Sequence, residues 1–152
     1  MAVWQFTIQL LPKSWAKDNK FNPASLYTAE GYHDVEYAWN DYQLREGFRD
    51  LLSQILPETR SRHKNLLVWG NDNEHDIQVG IEQGKAKYIC IRLDLRQDLR
   101  LIIPKIIEIT QTIECCFFFP EQEKITPPEV KELIAAIKTS RAFKYADDPI
   151  GL

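Results

Sequence analysis

Apolar and polar residues alternate along Trp4-Gln5-Phe6-Thr7-Ile8-Gln9-Leu10, the pattern of a strand with one buried face. Pro12 ends that strand. Residues 12–40 then keep no period; they hold Pro12, Pro23 and Gly31 among several Asn, Ser and Thr. An irregular stretch of that length is uncommon inside a compact domain. Trp15, Phe21, Tyr27, Tyr32, Tyr37 and Trp39 lie along it, so its rings are expected to pin it to the body. From Asp41 the spacing turns helical. Leu44, Phe48, Leu51, Leu52 and Ile55 share one side, and Arg45, Glu46, Arg49 and Asp50 the other. Asn40 or Asp41 can cap this helix over about 41–56, and Pro57 marks its end. Residues 58–64 read as a polar linker.

Three strands are predicted next: Leu66–Trp69, Asp76–Ile81 and Tyr88–Leu95. The last two form a hairpin whose apolar faces restrict its register. Ile77, Val79 and Ile81 must share a face with Ile89, Ile91, Leu93 and Leu95. Pairing Ile81 with Ala86 would turn Tyr88 and Cys90 to the apolar side. A three-residue loop, Glu82-Gln83-Gly84, restores the parity and puts Gly84 where such loops need a left-handed residue. The opposite face then displays Asp76, Gln78, Tyr88, Arg92 and Asp94, with Cys90 among them and Arg96 beyond.

A helix is expected over about Arg100–Thr112, with Ile102, Ile103, Ile106 and Ile107 as its stripe and Pro104 in its first turn. Cys115-Cys116-Phe117-Phe118-Phe119 is apolar throughout, as in a strand covered on both faces. Thr126-Pro127-Pro128-Glu129 has the form of a helix start, and Val130, Leu133, Ile134 and Ile137 supply the stripe behind it. Ser140 can cap one further short turn with Phe143 packed inward, stopped by Asp147-Asp148-Pro149. This order predicts one α+β domain over residues 1–152, with a single mainly antiparallel sheet and two to three helices packed on it.

Composition narrows the function. Apolar residues make up 44% and charged residues 27%, ordinary globular values. No apolar run approaches the ~18 residues of a membrane span, and no basic region precedes an apolar stretch at the N-terminus, so no secretory signal is expected. The 22 acidic and 19 basic side chains give a net charge of −3, whereas nucleic-acid-binding domains carry a basic excess. Neither a nucleic acid nor a membrane is expected as partner. The three cysteines, Cys90, Cys115 and Cys116, are odd in number and two are adjacent. They suit neither a disulfide framework nor a zinc site and read as reduced, mostly buried thiols of a cytoplasmic protein.

Four stretches could carry chemistry. Gly70–Asp76 alternates carboxylates and amides like a calcium loop, but the sixth-position glycine and twelfth-position glutamate are missing in every frame, which leaves a polar turn. His33-Asp34 and His75-Asp76 are adjacent pairs whose side chains diverge, a poor way to orient an imidazole. No Gly-x-Ser-x-Gly, phosphate-cradling loop or HExxH is present, so no enzyme, cofactor or metal is expected. Segment 27–42 carries Tyr27, Tyr32, Tyr37, Trp39 and Tyr42 with Glu30, Asp34, Glu36 and Asp41, and no Lys or Arg. Tyrosine and tryptophan are typical hot-spot residues, and carboxylates around them would steer a basic partner; the bland reading is that these rings glue the segment to the core. The polar hairpin face is the fourth stretch, and cross-strand ion pairs explain it without a function.

The Trp4 strand leading to Pro12-Lys13-Ser14-Trp15 combines with Trp69-Gly70 and Ile91-Arg92-Leu93-Asp94-Leu95-Arg96. Near the end comes Ser140-Arg141-Ala142-Phe143-Lys144-Tyr145-Ala146-Asp147-Asp148-Pro149. Together these resemble a family of small bacterial proteins akin to immunity proteins, which neutralise a toxin made by the same or a neighbouring cell. The resemblance implies a cytoplasmic binding protein with no cofactor, and it maps no toxin-contact residue. The leading expectation is therefore a non-enzymatic inhibitor that binds a basic protein surface through Tyr32, Asp34, Glu36, Tyr37, Trp39 and Asp41, with Trp39 and Tyr37 as anchors. The alternative is a small enzyme or ligand-binding domain using the polar hairpin face around His75 and Arg92. Self-association through the sheet is a third reading.

Overall fold

In the computed structural model, which describes residues 2–146, the first alternating stretch forms β1, Gln5–Pro12. The irregular stretch that follows contains α1 (Lys13–Asp18), a 3₁₀ turn (Pro23–Leu26) and α2 (Glu36–Trp39). Then come α3 (Phe48–Leu52), β2 (Glu58–Thr59), β3 (Leu66–Gly70), β4 (Asp76–Glu82) and β5 (Lys85–Asp94). The chain continues through α4 (Ile102–Thr112), β6 (Cys115–Phe119), β7 (Lys124–Thr126), α5 (Val130–Lys138) and a second 3₁₀ turn, Arg141–Tyr145. All strands join one sheet in the order β2-β3-β4-β5-β1-β6-β7, and every pairing is antiparallel. The fold is α+β, as the pattern predicts. Five α-helices are described where two to three were expected, because α1 and α2 are short turns that periodicity does not reveal.

The N-terminal strand sits at the centre, between β5 and β6. Both neighbours run antiparallel to it and therefore parallel to each other, and α4 supplies the crossover between them. Phe6, Ile8 and Leu10 lie opposite Leu93, Ile91 and Ile89, and Ile77 and Val79 extend the same face on β4. All are buried, together with the Ile102, Ile103, Ile106 and Ile107 stripe of α4. Every residue of β6 is buried, as expected of a strand covered on both faces.

Four expectations need correction. The helix proposed over 41–56 shrinks to Phe48–Leu52, because Gly47 turns the chain at φ +82°, which an α-helix does not admit. Leu44, Leu52 and Ile55 are buried all the same. The helix proposed from Thr126 begins instead at Val130, with Glu129 in extended backbone before it. Thr126 and Pro127 each precede a proline, which disfavours helical backbone; Lys124–Thr126 adds an edge strand to β6, and the Thr126 hydroxyl donates to the Pro127 carbonyl at 3.0 Å. Ser140 does precede a short turn, but its hydroxyl donates back to the Ile137 carbonyl at 2.6 Å rather than capping it. The stop at Asp147-Asp148-Pro149 lies outside the described residues.

The fourth correction is the hairpin loop. Glu82 pairs with Lys85 and Ile81 with Ala86, so the turn is the two residues Gln83 and Gly84, at φ +52° and +76°. Two left-handed residues are what a type I′ turn needs. Parity is restored beyond the turn: Gly80 pairs with Tyr88, leaving Lys87 as the extra residue of a bulge. Val79 then faces Ile89 and Ile77 faces Ile91, the face assignment that the pattern demanded. Gly80 has a packing reason, since a Cβ there would lie 2.3 Å from the Tyr88 ring that covers it.

Candidate functional site

Segment 27–42 is built as a small loop and one helical turn laid against the sheet. Tyr27 and His33 form an isolated bridge, and the Gly31 and Tyr32 backbone N–H groups close the turn onto Thr28. Both bridge rings meet Phe118 of β6 edge-on, at 6.4 Å for Tyr27 and 5.6 Å for His33. Leu26 is fully buried beneath, and its carbonyl accepts from the Asp34 N–H at 2.7 Å. The Asp34 carboxylate accepts from the Glu36 N–H at 2.9 Å, an Asx turn just ahead of α2.

The helical turn then divides its residues. Ala38 and Trp39 point inward, whereas Glu36 and Tyr37 face solvent. Trp39 is 1% exposed, stacks edge-on to Tyr42 at 5.4 Å, and donates its indole N–H to the Leu10 carbonyl at 3.2 Å. The proposed anchor Trp39 is therefore a core residue, since burying a ring of that size stabilises the fold more than holding it in solvent would serve contact. Tyr42 is also pinned, through its hydroxyl donating to the Ile113 carbonyl at 3.3 Å. Tyr32 and Tyr37 are the rings left outside, at 75% and 55% exposure. Glu30, Glu36 and Asp41 are exposed beside them and Asp34 is half-buried, and none of the four has an ion-pair partner among the described residues.

The polar hairpin face is brought together as expected but is not open. Asp76 is fully buried. Arg92 Nε donates to its Oδ1 at 2.7 Å, the Arg92 Nη2 donates to Oδ2, and Gln78 adds a bond at 3.3 Å. Asp94 is likewise buried and takes bonds from Arg96 at 2.9 Å and from Gln97 at 3.2 Å. Burial opposes its ionisation, yet the Arg96 bonds outweigh it and hold the carboxyl below its ordinary value. Tyr88 lies over Gly80. The carboxylates offered as ligand groups thus serve the sheet itself, because a buried charge must be paired within the chain.

His75 belongs to this network. Its Nδ1 accepts the Asp94 N–H at 2.9 Å, so the ring is neutral with its proton on Nε2. Burial pushes its pKa below the ordinary 6.5, against the pull of Asp94 and Glu74. Stability tied to the neutral ring is fully present above about pH 6.5 and is lost as pH falls through the lowered folded value. Urea unfolding is expected to give a lower midpoint at about pH 5 than at about pH 7.5, and His75→Asn, which keeps an acceptor but cannot titrate, should flatten that difference. An unchanged difference in the variant would remove His75 from the account. The Asp94 contribution is lost only below the ordinary carboxylate range and leaves this window clear.

The turn before β4 is clamped by residues that the pattern did not single out. Gln5 donates to the Asp72 and Glu74 carbonyls at 3.0 and 2.6 Å, and the Trp4 indole donates to Asn73 at 3.0 Å. Arg96 lies 3.9 Å over the Trp4 ring. No group of three or more His, Cys, Asp or Glu that could hold a metal occurs among the described residues.

A second feature missed by the pattern is a cavity of about 560 Å³ on the same sheet face. Thr7 and Gln9 of β1 line it, with His33 on one side and the Arg141–Tyr145 turn on the other. It is assembled from three distant stretches, so no local motif announces it. Compared with known proteins, no family model, curated protein or solved structure matches the chain.

Proposed function

We propose that the chain is a non-enzymatic protein-binding protein, an immunity-type inhibitor that covers a basic surface of a bacterial toxin. The observation that carries the reading is the pair of exposed tyrosines, Tyr32 and Tyr37, on a segment that lacks Lys and Arg and carries four carboxylates without ion-pair partners among the described residues. Exposed tyrosines on a stretch of one charge sign suit a complementary, basic partner. Trp39, Tyr42 and Tyr27 act beneath it as the support that fixes its shape. A cytoplasmic location fits the three free thiols; burial pushes the Cys90 thiol up to about 12, which marks it as inert rather than reactive. No helix among the described residues is long and apolar enough to cross a membrane.

The test is the double variant Tyr37→Ala with Glu36→Lys. Both side chains are exposed, so its thermal melting should match wild type. Affinity for the partner should fall at least ~10-fold, with the charge reversal slowing association and flattening its salt dependence. Unchanged affinity in a folded variant would return the segment to a purely structural role.

A further inference from the structure

The sheet face opposite Ile8, Ile77 and Ile91 lies partly open. Val68, Gln78, Cys90, Gln9 and Phe118 make one row across it in the register. At one end of the row Phe118 is buried against the Tyr27 and His33 rings. Toward the other end Val68, Gln78 and Cys90 are half-buried, as are Leu66 and Tyr88 on either side of Gly80. Charged segments border this open part. On the β2–β3 side Arg60, Arg62 and His63 line a recess of about 380 Å³ with Val68 and Gln78. Arg60, Arg62 and Lys64 are exposed and have no ion-pair partner among the described residues, and Asp72 is the carboxylate in the same recess. The opposite border is the turn between Tyr27 and His33, with Glu30 exposed at its tip, Tyr32 in water and Asp34 just behind. Five strand spacings of ~4.8 Å, ~24 Å in all, separate β2 from β6, so the two borders cannot reach each other within one chain.

We propose that this face pairs with the same face of a second copy of the chain. A two-fold axis laid along the strands, over Gln78 and Cys90, turns the β2 edge of one copy onto the β6 edge of the other. The basic loop of each copy then meets the acidic turn of the other, and both contacts form together. Between them the half-buried Leu66, Val68 and Tyr88 lose their remaining water as the two sheets stack at ~10 Å. The charges favour this occupant, because both halves of the complement stand on one chain at opposite borders of one face. A pair closed in this way leaves no such border free for a third copy.

The purified chain alone tests the pairing, so the outcome does not depend on the inhibitor reading. Sedimentation equilibrium at ~100 μM chain and ~20 mM salt should give twice the mass of one chain, and ~0.5 M salt should raise the dissociation constant at least ~10-fold. Dilution should move the amide signals of Val68, Gln78 and Tyr88 and leave those of α5 in place. Arg60→Glu with Arg62→Glu should be monomeric, and so should Ala29→Lys with Glu30→Lys. All four side chains are exposed, so both variants should melt as wild type does. The decisive sample is the equimolar mixture of the two variants. There the reversed loop meets the reversed turn and the two unaltered borders meet as well, so the mixture should regain the dimer at an affinity within about threefold of wild type. A mixture that stays monomeric, a wild-type chain that is monomeric at both salts, or a mass that grows beyond two copies would each overturn the proposal. So would a monomer that binds tripolyphosphate through Arg60 and Arg62, which would give the loop to an anion instead.

Discussion

Arg92→Leu is expected to lower the unfolding free energy by ~3–5 kcal/mol, because it leaves a fully buried carboxylate with almost nothing to hold it. Asp76 on β4 and Arg92 on β5 are directly opposed in the register, and the guanidinium forks onto both carboxylate oxygens. Without it only the weaker Gln78 bond at 3.3 Å remains among the described residues. The carboxyl must then take up a proton or draw water into the sheet, and either costs stability. A melting temperature lower by on the order of 10 °C should report the loss. Arg92→Lys should fall between, since an ammonium carries the charge without the two-pronged geometry. Replacing both partners, Asp76→Leu with Arg92→Leu, should recover most of the stability, because the charge that was stranded is gone. A single variant within ~1 kcal/mol of wild type would mean that Asp76 is not held as described.

Trp39→Ala should cost a similar ~3–5 kcal/mol, by removing a fully buried indole and leaving the cavity it filled. The Leu10 carbonyl also loses its indole donor. Trp39→Phe keeps most of the volume and should cost less. The informative part is what should not change: the affinity of the folded fraction for its partner. If Trp39→Ala instead weakened binding without altering the urea midpoint, Trp39 would be a contact residue after all.

What the sequence disclosed follows from which forces act locally. The strands around Phe6, Val79, Ile91 and Phe117 were legible because each buries one face or both, and burial leaves a period in the pattern. The hairpin shows the limit. Parity correctly put Ile77 and Val79 on the face of Ile89 and Ile91, but parity can be met by a three-residue loop or by a two-residue turn with a bulge. Gln83, Gly84 and the extra Lys87 realise the second. The helix of 41–56 failed at Gly47, one residue whose left-handed backbone ends a pattern that its neighbours keep. In segment 27–42 composition showed a cluster of rings but not their directions. A single helical turn sends Trp39 in and Tyr37 out, and that choice is made by the Leu10 carbonyl some thirty residues earlier. The cavity at Gln9 was illegible for the same reason: β1, His33 and the 141–145 turn meet only in three dimensions.

The central claim is that Tyr37 faces a protein partner. A photo-crosslinking side chain at position 37, introduced in cells that make the chain and its genetic neighbours, tests it most directly, with position 138 on the exposed side of α5 as the control. The account predicts one dominant crosslinked protein from position 37, absent from position 138, lost on Glu36→Lys, and encoded beside this chain with a basic surface. Identical products from both positions, or none from position 37, would contradict it.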